Sequence, residues 1–182
     1  MIPRSTASDQ RRIPAFTAVE LLIAIGILAV LAAVAFPVTN MVIARGKAAD
    51  CINNLNNIGA ALSLYLAQNN NRFPELAAGR MDKGDDVPTI DTVLAEYTDS
   101  LEIFHCKADD GNHFHTSGSS YFWNNTLNGQ HVTKLNFMGI VEDPRGIPVV
   151  FDKENFHVSR GDEVNILYAD GHIDKNIVLR AE

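Results

Sequence analysis

The chain has 182 residues, of which 46% are hydrophobic and 20% are charged, and this composition excludes a wholly disordered protein. Two cysteines exclude a disulfide-dense scaffold. The net charge of −7 arises beyond residue 37, and so acidic a body argues against a general nucleic-acid-binding role, because phosphate recognition needs clustered Lys and Arg.

An uncharged stretch near the N-terminus predicts a membrane-spanning helix. Residues 21–38 are 18 consecutive residues without a charge. Arg11 and Arg12 precede them and favour a cytoplasmic N-terminus, with the acidic body outside the cytoplasmic membrane. Glu20 lies at the edge of this stretch, where an ionised carboxylate is costly and usually has a partner. Three alternatives are open: a plain signal anchor, a signal peptide cut after Ala35, or a segment that requires Glu20.

The residues around Glu20 carry a family resemblance. Residues 15–23, Ala-Phe-Thr-Ala-Val-Glu-Leu-Leu-Ile, resemble the processing motif of type IV prepilins and type II secretion pseudopilins. In that family, a prepilin peptidase cuts before the Phe and methylates the new amine. The resemblance implies cleavage between Ala15 and Phe16, N-methylation of Phe16, and Glu20 as the fifth residue of the mature chain. Ala15 replaces the family's usual Gly and keeps a small residue there.

The resemblance also implies a function and a set of partners. The chain would be a structural subunit of a type II secretion pseudopilus or a type IV pilus-like filament, and not an enzyme. It would cross the inner membrane once before it joins other subunits, with prepilin peptidase, a motor ATPase and a membrane assembly platform as partners. The amine of Phe16 could pair with Glu20 of a neighbouring chain, and head-to-tail contacts that close no ring generate a filament.

The helical pattern continues beyond the uncharged stretch. Apolar or small residues recur at spacings of three and four, as one helix face requires. They are Met41, Ala44, Ala48, Ile52, Leu55, Gly59, Leu62 and Leu66. We expect one helix from about Thr17 to about Gln68, ended by Asn69-Asn70-Asn71, with Pro74 preventing its return. Pro37 predicts a kink or local unwinding within this helix.

The remaining residues predict a small α+β body. Residues 77–88 are typical of a loop, and residues 89–99 predict a short helix capped by Thr89 or Asp91. Short β-branched and aromatic segments predict strands at 101–106, 119–124, 131–141, 147–152, 163–169 and 172–179. Asp170-Gly171 predicts a type I′ hairpin turn. The expected fold is a long N-terminal helix packed on a small antiparallel sheet.

The expected organisation of the chain has four parts. They are a cytoplasmic leader (1–15), a transmembrane or filament-core helix (16–38), its amphipathic continuation (39–71) and an extracytoplasmic body (72–182).

A second resemblance covers the body. Residues 51–59, followed by Tyr65, resemble a segment of a pilin-like subfamily described by a C-terminal "H-X9-DG" domain. Residues 103–109 and 120–124 match that subfamily more loosely. His157 and Asp170-Gly171 resemble its C-terminal element, although here 12 residues separate them. We expect a turn at Asp170-Gly171. If the element has a functional role, we expect a hydrogen bond that joins His157 to this turn.

The two cysteines leave two readings open. Cys51 and Cys106 are not part of a Cys-x-x-Cys motif, which excludes a zinc ribbon or a redox motif of that kind. Outside the cytoplasm a disulfide between them is allowed, and closing so long a loop would stabilise the body by ~4 kcal/mol. The alternative is a pair of buried thiols.

Two groups of side chains are weak metal candidates. Asp109, Asp110, His113 and His115 offer two carboxylates and two imidazoles, and in a strand the two histidines would share a face. Their spacing matches no familiar site, so a solvated loop is the alternative. Calcium is known in a C-terminal loop of major pseudopilins, and here such a loop would use Asp152, Glu154, Asp162 and Glu163.

A rival function comes from a different class of protein. A membrane-tethered or signal-peptidase-released extracytoplasmic module could bind a polysaccharide through Tyr121, Phe122 and Trp123, unless these aromatic residues belong to the core. Motifs of serine hydrolases, P-loop enzymes and dinucleotide-binding enzymes are missing from the sequence, and we therefore expect no enzyme.

Overall fold

The computed structural model describes residues 16–157 and 164–175, and the chain divides into one unit up to Asn40 and a second unit from Met41. Helix α1, Ala18–Gln68, begins in the first unit and ends in the second. Its limits confirm the predicted helix. The unwinding that Pro37 predicts is not observed, because every position of α1 is helical; proline removes a single N–H, and the turns on both sides continue.

In the first unit, α1 exposes apolar side chains on every side. Phe36 is 73% exposed and Leu22 is 69% exposed. By length and composition α1 can cross a membrane, a test that a signal sequence near an N-terminus also passes. Within the described part of the chain, the apolar side chains of this unit are therefore exposed.

In the second unit, α1 buries one stripe against the body. Ala48, Cys51, Leu55, Ile58 and Leu62 are buried at spacings of three and four. Three of these residues belong to the predicted face. Cys51 and Ile58 replace the predicted Ile52 and Gly59, so the stripe is rotated slightly from the expected one.

Helix α1 ends where the sequence predicts, and the reason is local. Asn70 and Asn71 both adopt positive φ, at 54° and 56°. Asparagine tolerates this left-handed conformation better than most residues. The Asn71 N–H donates to the carbonyl of Leu66 at 2.8 Å, which closes the last turn.

The body contains two short α-helices. Helix α2, Ile90–Val93, begins after Thr89 as predicted and continues as a 3₁₀ turn, Leu94–Tyr97. The Thr89 N–H donates to the hydroxyl of Thr92 at 2.9 Å, which stabilises the start of the helix. Helix α3, His113–Ser117, lies in a segment where a loop or a strand was expected.

The body contains a four-stranded antiparallel sheet in the order β1-β2-β3-β4. The strands are β1 (Tyr121–Trp123), β2 (Pro148–Asp152), β3 (Ile166–Tyr168) and β4 (Ile173–Asp174). Phe151 of β2 lies opposite Phe122 on one side and Ile166 on the other. A side chain of α1 at Gly59 would touch Leu167, at 3.4 Å from its Cδ2, so the helix backbone passes close to β3. The α+β class is confirmed.

Two predicted strands are wrong. Leu101–Phe104 is a 3₁₀ turn, because the hydroxyl of Ser100 accepts the Glu102 N–H at 3.2 Å and caps a turn instead. In 131–141, the described residues form only isolated bridges, such as Phe137 with Val141. The positive φ of Met138 and Gly139 turns the chain between these two partners.

The hairpin between β3 and β4 is confirmed, but its turn is not the predicted type I′. That turn needs two residues with positive φ, and here only Gly171 has one, at 90°. The Gly171 N–H donates to Tyr168, and the Tyr168 N–H donates to His172. These bonds define a three-residue loop that is closed by a glycine bulge.

Asn128 fastens the loop after α1 to the sheet. Its Oδ1 accepts from the Leu76 N–H at 3.2 Å and from the Trp123 Nε1–H at 2.8 Å. Its Nδ2 donates to the Leu76 carbonyl at 2.8 Å. Trp123 is 1% exposed, so water cannot replace this partner.

We expect Asn128→Ala to lower the free energy of unfolding by about 2 kcal/mol or more, because it leaves buried polar groups unpaired. Urea titration of the full chain in detergent measures this. Asn125→Ala, an exposed position on the same turn, is the matched control and should change little. Equal stability of the two variants would contradict the assignment.

Candidate functional site

The start of α1 holds the candidate processing and assembly residues. Ala15 lies outside the described residues, and Phe16 is 87% exposed. Glu20 lies in the first turn of α1. The cleavage site predicted from the sequence therefore lies next to the first turn of the exposed apolar helix.

Glu20 and Thr17 form a capping box, which the sequence analysis missed. The Thr17 N–H and hydroxyl donate to Glu20 Oε2 at 2.9 and 2.8 Å, and the Glu20 N–H donates to the Thr17 hydroxyl at 3.2 Å. The signal was present in the sequence, since Thr-x-x-Glu before an apolar run is a known capping pattern. Glu20 therefore has a local role in the single chain, and the carboxylate is held at the N-terminal end of the helix.

Cys51 of α1 and Cys106 of the body are joined by a disulfide. Both residues are fully buried. Of the two alternatives that the sequence left open, a disulfide or a pair of buried thiols, the structure has the disulfide. The bond ties α1 to the segment that follows the 3₁₀ turn Leu101–Phe104.

A buried polar cluster surrounds this disulfide. His157 and Asp152 are each 2% exposed, and His157 Nε2 lies 3.3 Å from Asp152 Oδ2 and 3.9 Å from Cys106 Sγ. The Asn165 N–H and Nδ2 donate to the same Asp152 oxygen at 2.7 and 2.9 Å. The Tyr121 hydroxyl lies 3.5 Å from the Cys51 carbonyl, and burial, with the charge of Asp152 adding to it, raises the pKa of that phenol.

The predicted bond between His157 and the Asp170 turn is wrong. His157 faces Asp152, whereas Asp170 lies beside His172, with 2.5 Å between Asp170 Oδ1 and His172 Nδ1. The carboxylate of Asp170 therefore pairs with a residue of its own hairpin, His172, and not with His157. The spacing of His157 and Asp152 along the chain matches no known motif, so the sequence did not predict this pair.

Asp109 caps helix α3. Its carboxylate accepts the N–H groups of His113 and Phe114 at 3.1 and 2.9 Å and the hydroxyl of Ser120 at 2.7 Å. Burial acts to raise the pKa of Asp109, but the hydrogen bonds from Ser120, Phe114 and His113 outweigh it and hold the pKa below its usual value. The residue has a structural role that the metal hypothesis did not foresee.

The other metal candidates are not brought together. Because residues 113–117 are helical, His113 and His115 do not share the strand face that was predicted. His113 Nε2 lies 3.0 Å from Glu154, and the His115 ring packs against His105. Asp110 is exposed. Among residues 16–157 and 164–175, none of these belongs to a group of three His, Cys, Asp or Glu ligand atoms.

The calcium candidates are only partly described. Asp152 is buried in the cluster beside the disulfide, and Glu154 lies against His113. Asp162 and Glu163 lie outside the described residues.

The aromatic segment of the rival function belongs mostly to the core. Tyr121 is fully buried and Trp123 is 1% exposed. Phe122 is half-buried and packs against Phe151. Two of the three rings therefore cannot reach a polysaccharide on the surface.

No family model matches the chain, and neither a curated protein nor a solved structure matches it.

We expect the stabilisation from Asp109 to disappear in acid. A carboxyl whose folded pKa is depressed stabilises the fold above its unfolded pKa, about 3.9, and loses this effect as the pH falls through the folded value. Asp109→Asn should lower the free energy of unfolding by about 1–2 kcal/mol at neutral pH, and the difference from the parent chain should shrink as the pH falls below the unfolded pKa of Asp109.

Urea titration across this pH range measures the difference. Asp110→Asn, which removes the same charge at the exposed neighbour, is the control. A deficit of Asp109→Asn that is independent of pH would show that the charge of Asp109 is unimportant.

Proposed function

We propose that the chain is a prepilin-like structural subunit of a type II secretion pseudopilus or a type IV pilus-like filament. A prepilin peptidase would cut it between Ala15 and Phe16. The observation that carries the proposal is the first unit of α1: an uncovered apolar helix with a single carboxylate, Glu20, held in its first turn.

The apolar surface has two suitable environments. In water this surface is unfavourable, and a bilayer removes it from water before assembly. Side chains that are apolar all round allow the same helix to exchange lipid for neighbouring helices. Gly26, Ala29, Ala32 and Ala33 would permit close approach.

The first turn supports a register between subunits. Cleavage would leave a cationic amine on Phe16, one residue before the capping Thr17. In apolar surroundings, a Glu20 carboxylate of a neighbouring chain would attract this amine with little screening. Because the capping box holds Glu20 Oε2, the carboxylate is already oriented when a neighbour arrives.

The body supports a location outside the cytoplasm. The disulfide between Cys51 and Cys106 is of the kind that persists in oxidising compartments. The basic residues of the leader favour the same topology. The partners would be prepilin peptidase, further subunits, a motor ATPase and a membrane platform.

We expect mass analysis of the N-terminus to find a chain that starts at N-methylated Phe16. The chain is isolated from a host with an active prepilin peptidase, and a peptidase-deficient host is the control. A start at Phe36 would indicate signal-peptidase release and a soluble module, and an intact Met1 in the active host would indicate a simple anchor.

Glu20→Gln separates the two roles of Glu20. Gln preserves a capping box but removes the charge. If the charge pairs with a neighbour's amine, Glu20→Gln should weaken filament assembly at least ~10-fold, because breaking a buried ion pair costs about 3–5 kcal/mol.

Thr17→Val is the matched control, since it removes the cap and keeps the charge. Filament yield by electron microscopy, normalised to processed chain, is the measurement. Normal assembly of Glu20→Gln, together with failure of Thr17→Val, would show that Glu20 acts only as a cap.

A further inference from the structure

The sequence contains a single Asn-Gly pair, at Asn128 and Gly129. The side-chain amide of an asparagine that precedes glycine is especially labile, because glycine has no Cβ to hinder the attack of its backbone nitrogen on the amide carbon. The fold uses both residues. The Asn128 side chain joins Leu76 to Trp123, and Gly129 has a φ of 67°, a conformation that favours glycine. A labile pair is therefore retained because each member has a structural role.

The folded body holds apart the two groups that would have to react. The Gly129 N–H donates to the Phe73 carbonyl at 3.2 Å, so the attacking nitrogen is engaged with a neighbouring segment. The Asn128 amide donates to the Leu76 carbonyl at 2.8 Å and accepts the Leu76 N–H at 3.2 Å. Attack of the Gly129 nitrogen on the Asn128 side chain requires both sets of bonds to break.

The surroundings of Asn128 make such an opening costly. Phe73 and Leu76 are each 3% exposed, and the rings of Phe73 and Trp123 pack with their centroids 5.9 Å apart. Release of Asn128 would also leave the indole N–H of Trp123, a residue that is 1% exposed, without its partner. Opening at Asn128 therefore disrupts the core of the body, and we expect it to accompany unfolding of the body.

We propose that Asn128-Gly129 is a deamidation site that reacts only when the body unfolds, and that the product destabilises the fold. In the unfolded chain, the Gly129 nitrogen loses its proton to hydroxide and bonds to Cγ of Asn128. The bond from Cγ to Nδ2 breaks, and the amide nitrogen takes a proton from water and leaves as ammonia. Water then opens the five-membered imide to aspartate or to isoaspartate.

Both products conflict with the partners of Asn128. An aspartate offers only acceptors, so the oxygen that replaces Nδ2 would face the Leu76 carbonyl, where an N–H now donates at 2.8 Å. An isoaspartate also adds a carbon to the main chain and displaces Gly129 from Phe73. Conversion therefore marks a chain that has been unfolded and disfavours its return. This inference does not depend on the filament proposal.

The first experiment measures deamidation of the full-length chain in detergent, either folded in buffer or unfolded in guanidinium chloride at the same mildly alkaline pH. Fluorescence of Trp123, the single tryptophan, reports the folded state. Peptide mass mapping quantifies conversion at Asn128, with Asn125, which precedes Thr126, as the internal reference. We expect conversion at Asn128 to be at least ~100-fold slower in the folded chain, because the rate follows the population of the open form. Equal rates in the two states would overturn the proposal.

The second experiment tests the product. A partly converted sample is placed in the urea concentration that unfolds half of the unconverted chains, and a short protease treatment removes unfolded molecules. We expect converted chains to have a ratio of folded to unfolded molecules at least ~10-fold lower, because a buried acceptor has lost its donor. Survival of converted and unconverted chains in equal proportion would contradict the destabilisation.

A pair of variants separates the effect of position from that of charge. Asn128→Asp should lower the ratio of folded to unfolded chains at least ~10-fold, as the aspartate product does. Asn125→Asp adds the same charge at an exposed position of the same turn and should stay within about twofold. Equal ratios for the two variants would overturn the assigned role of the Asn128 amide.

Discussion

The apolar side chains that α1 exposes between residues 18 and 40 have to be removed from water. Burial of apolar surface is the dominant favourable term in protein association. A helix that is apolar on every side gains this energy from lipid or from other helices of the same kind, since it presents no polar face to water. The proposed assembly of this chain into a filament follows from that surface and from the one carboxylate at its start.

Glu20 is compatible with both environments because one of its carboxylate oxygens is satisfied locally. The capping box with Thr17 pairs one carboxylate oxygen with the N–H and hydroxyl of the cap. A negative charge in the first turn of a helix is also favoured by the helix dipole. The same turn therefore lowers the cost of keeping a carboxylate at the edge of an apolar segment and orients it toward the end of the chain where an amine would be created.

The parts of the fold that were predictable are those set by local pattern. The uncharged stretch, the three-four periodicity and the asparagines after Gln68 define α1 almost to the residue, and Asp170-Gly171 locates the hairpin. Predictions failed where a side chain accepts a hydrogen bond from a nearby backbone N–H. Ser100 does so at a 3₁₀ turn that was predicted as a strand, and Asp109 does so at the first residue of α3.

The site was harder to predict because most of its pairs join residues that are distant in sequence. His157 faces both Asp152, five residues before it, and Cys106, which is 51 residues away. No Cys-x-x-Cys motif marks this cysteine–histidine cluster in the sequence, because α1 and separate parts of the body contribute its members. The capping box was predictable, because Thr17 and Glu20 have the Thr-x-x-Glu spacing of a capping box before an apolar run.

The most direct test of the account is zero-length carbodiimide coupling in filaments assembled from a mixture of ¹⁴N- and ¹⁵N-labelled chains. If the apolar helices are buried against one another in register, mass spectrometry will find Phe16 joined to Glu20 in peptides of mixed isotope. Joined peptides that always carry a single isotope, or particles without any such joint, would contradict the claim that each helix places its amine against the carboxylate of another copy.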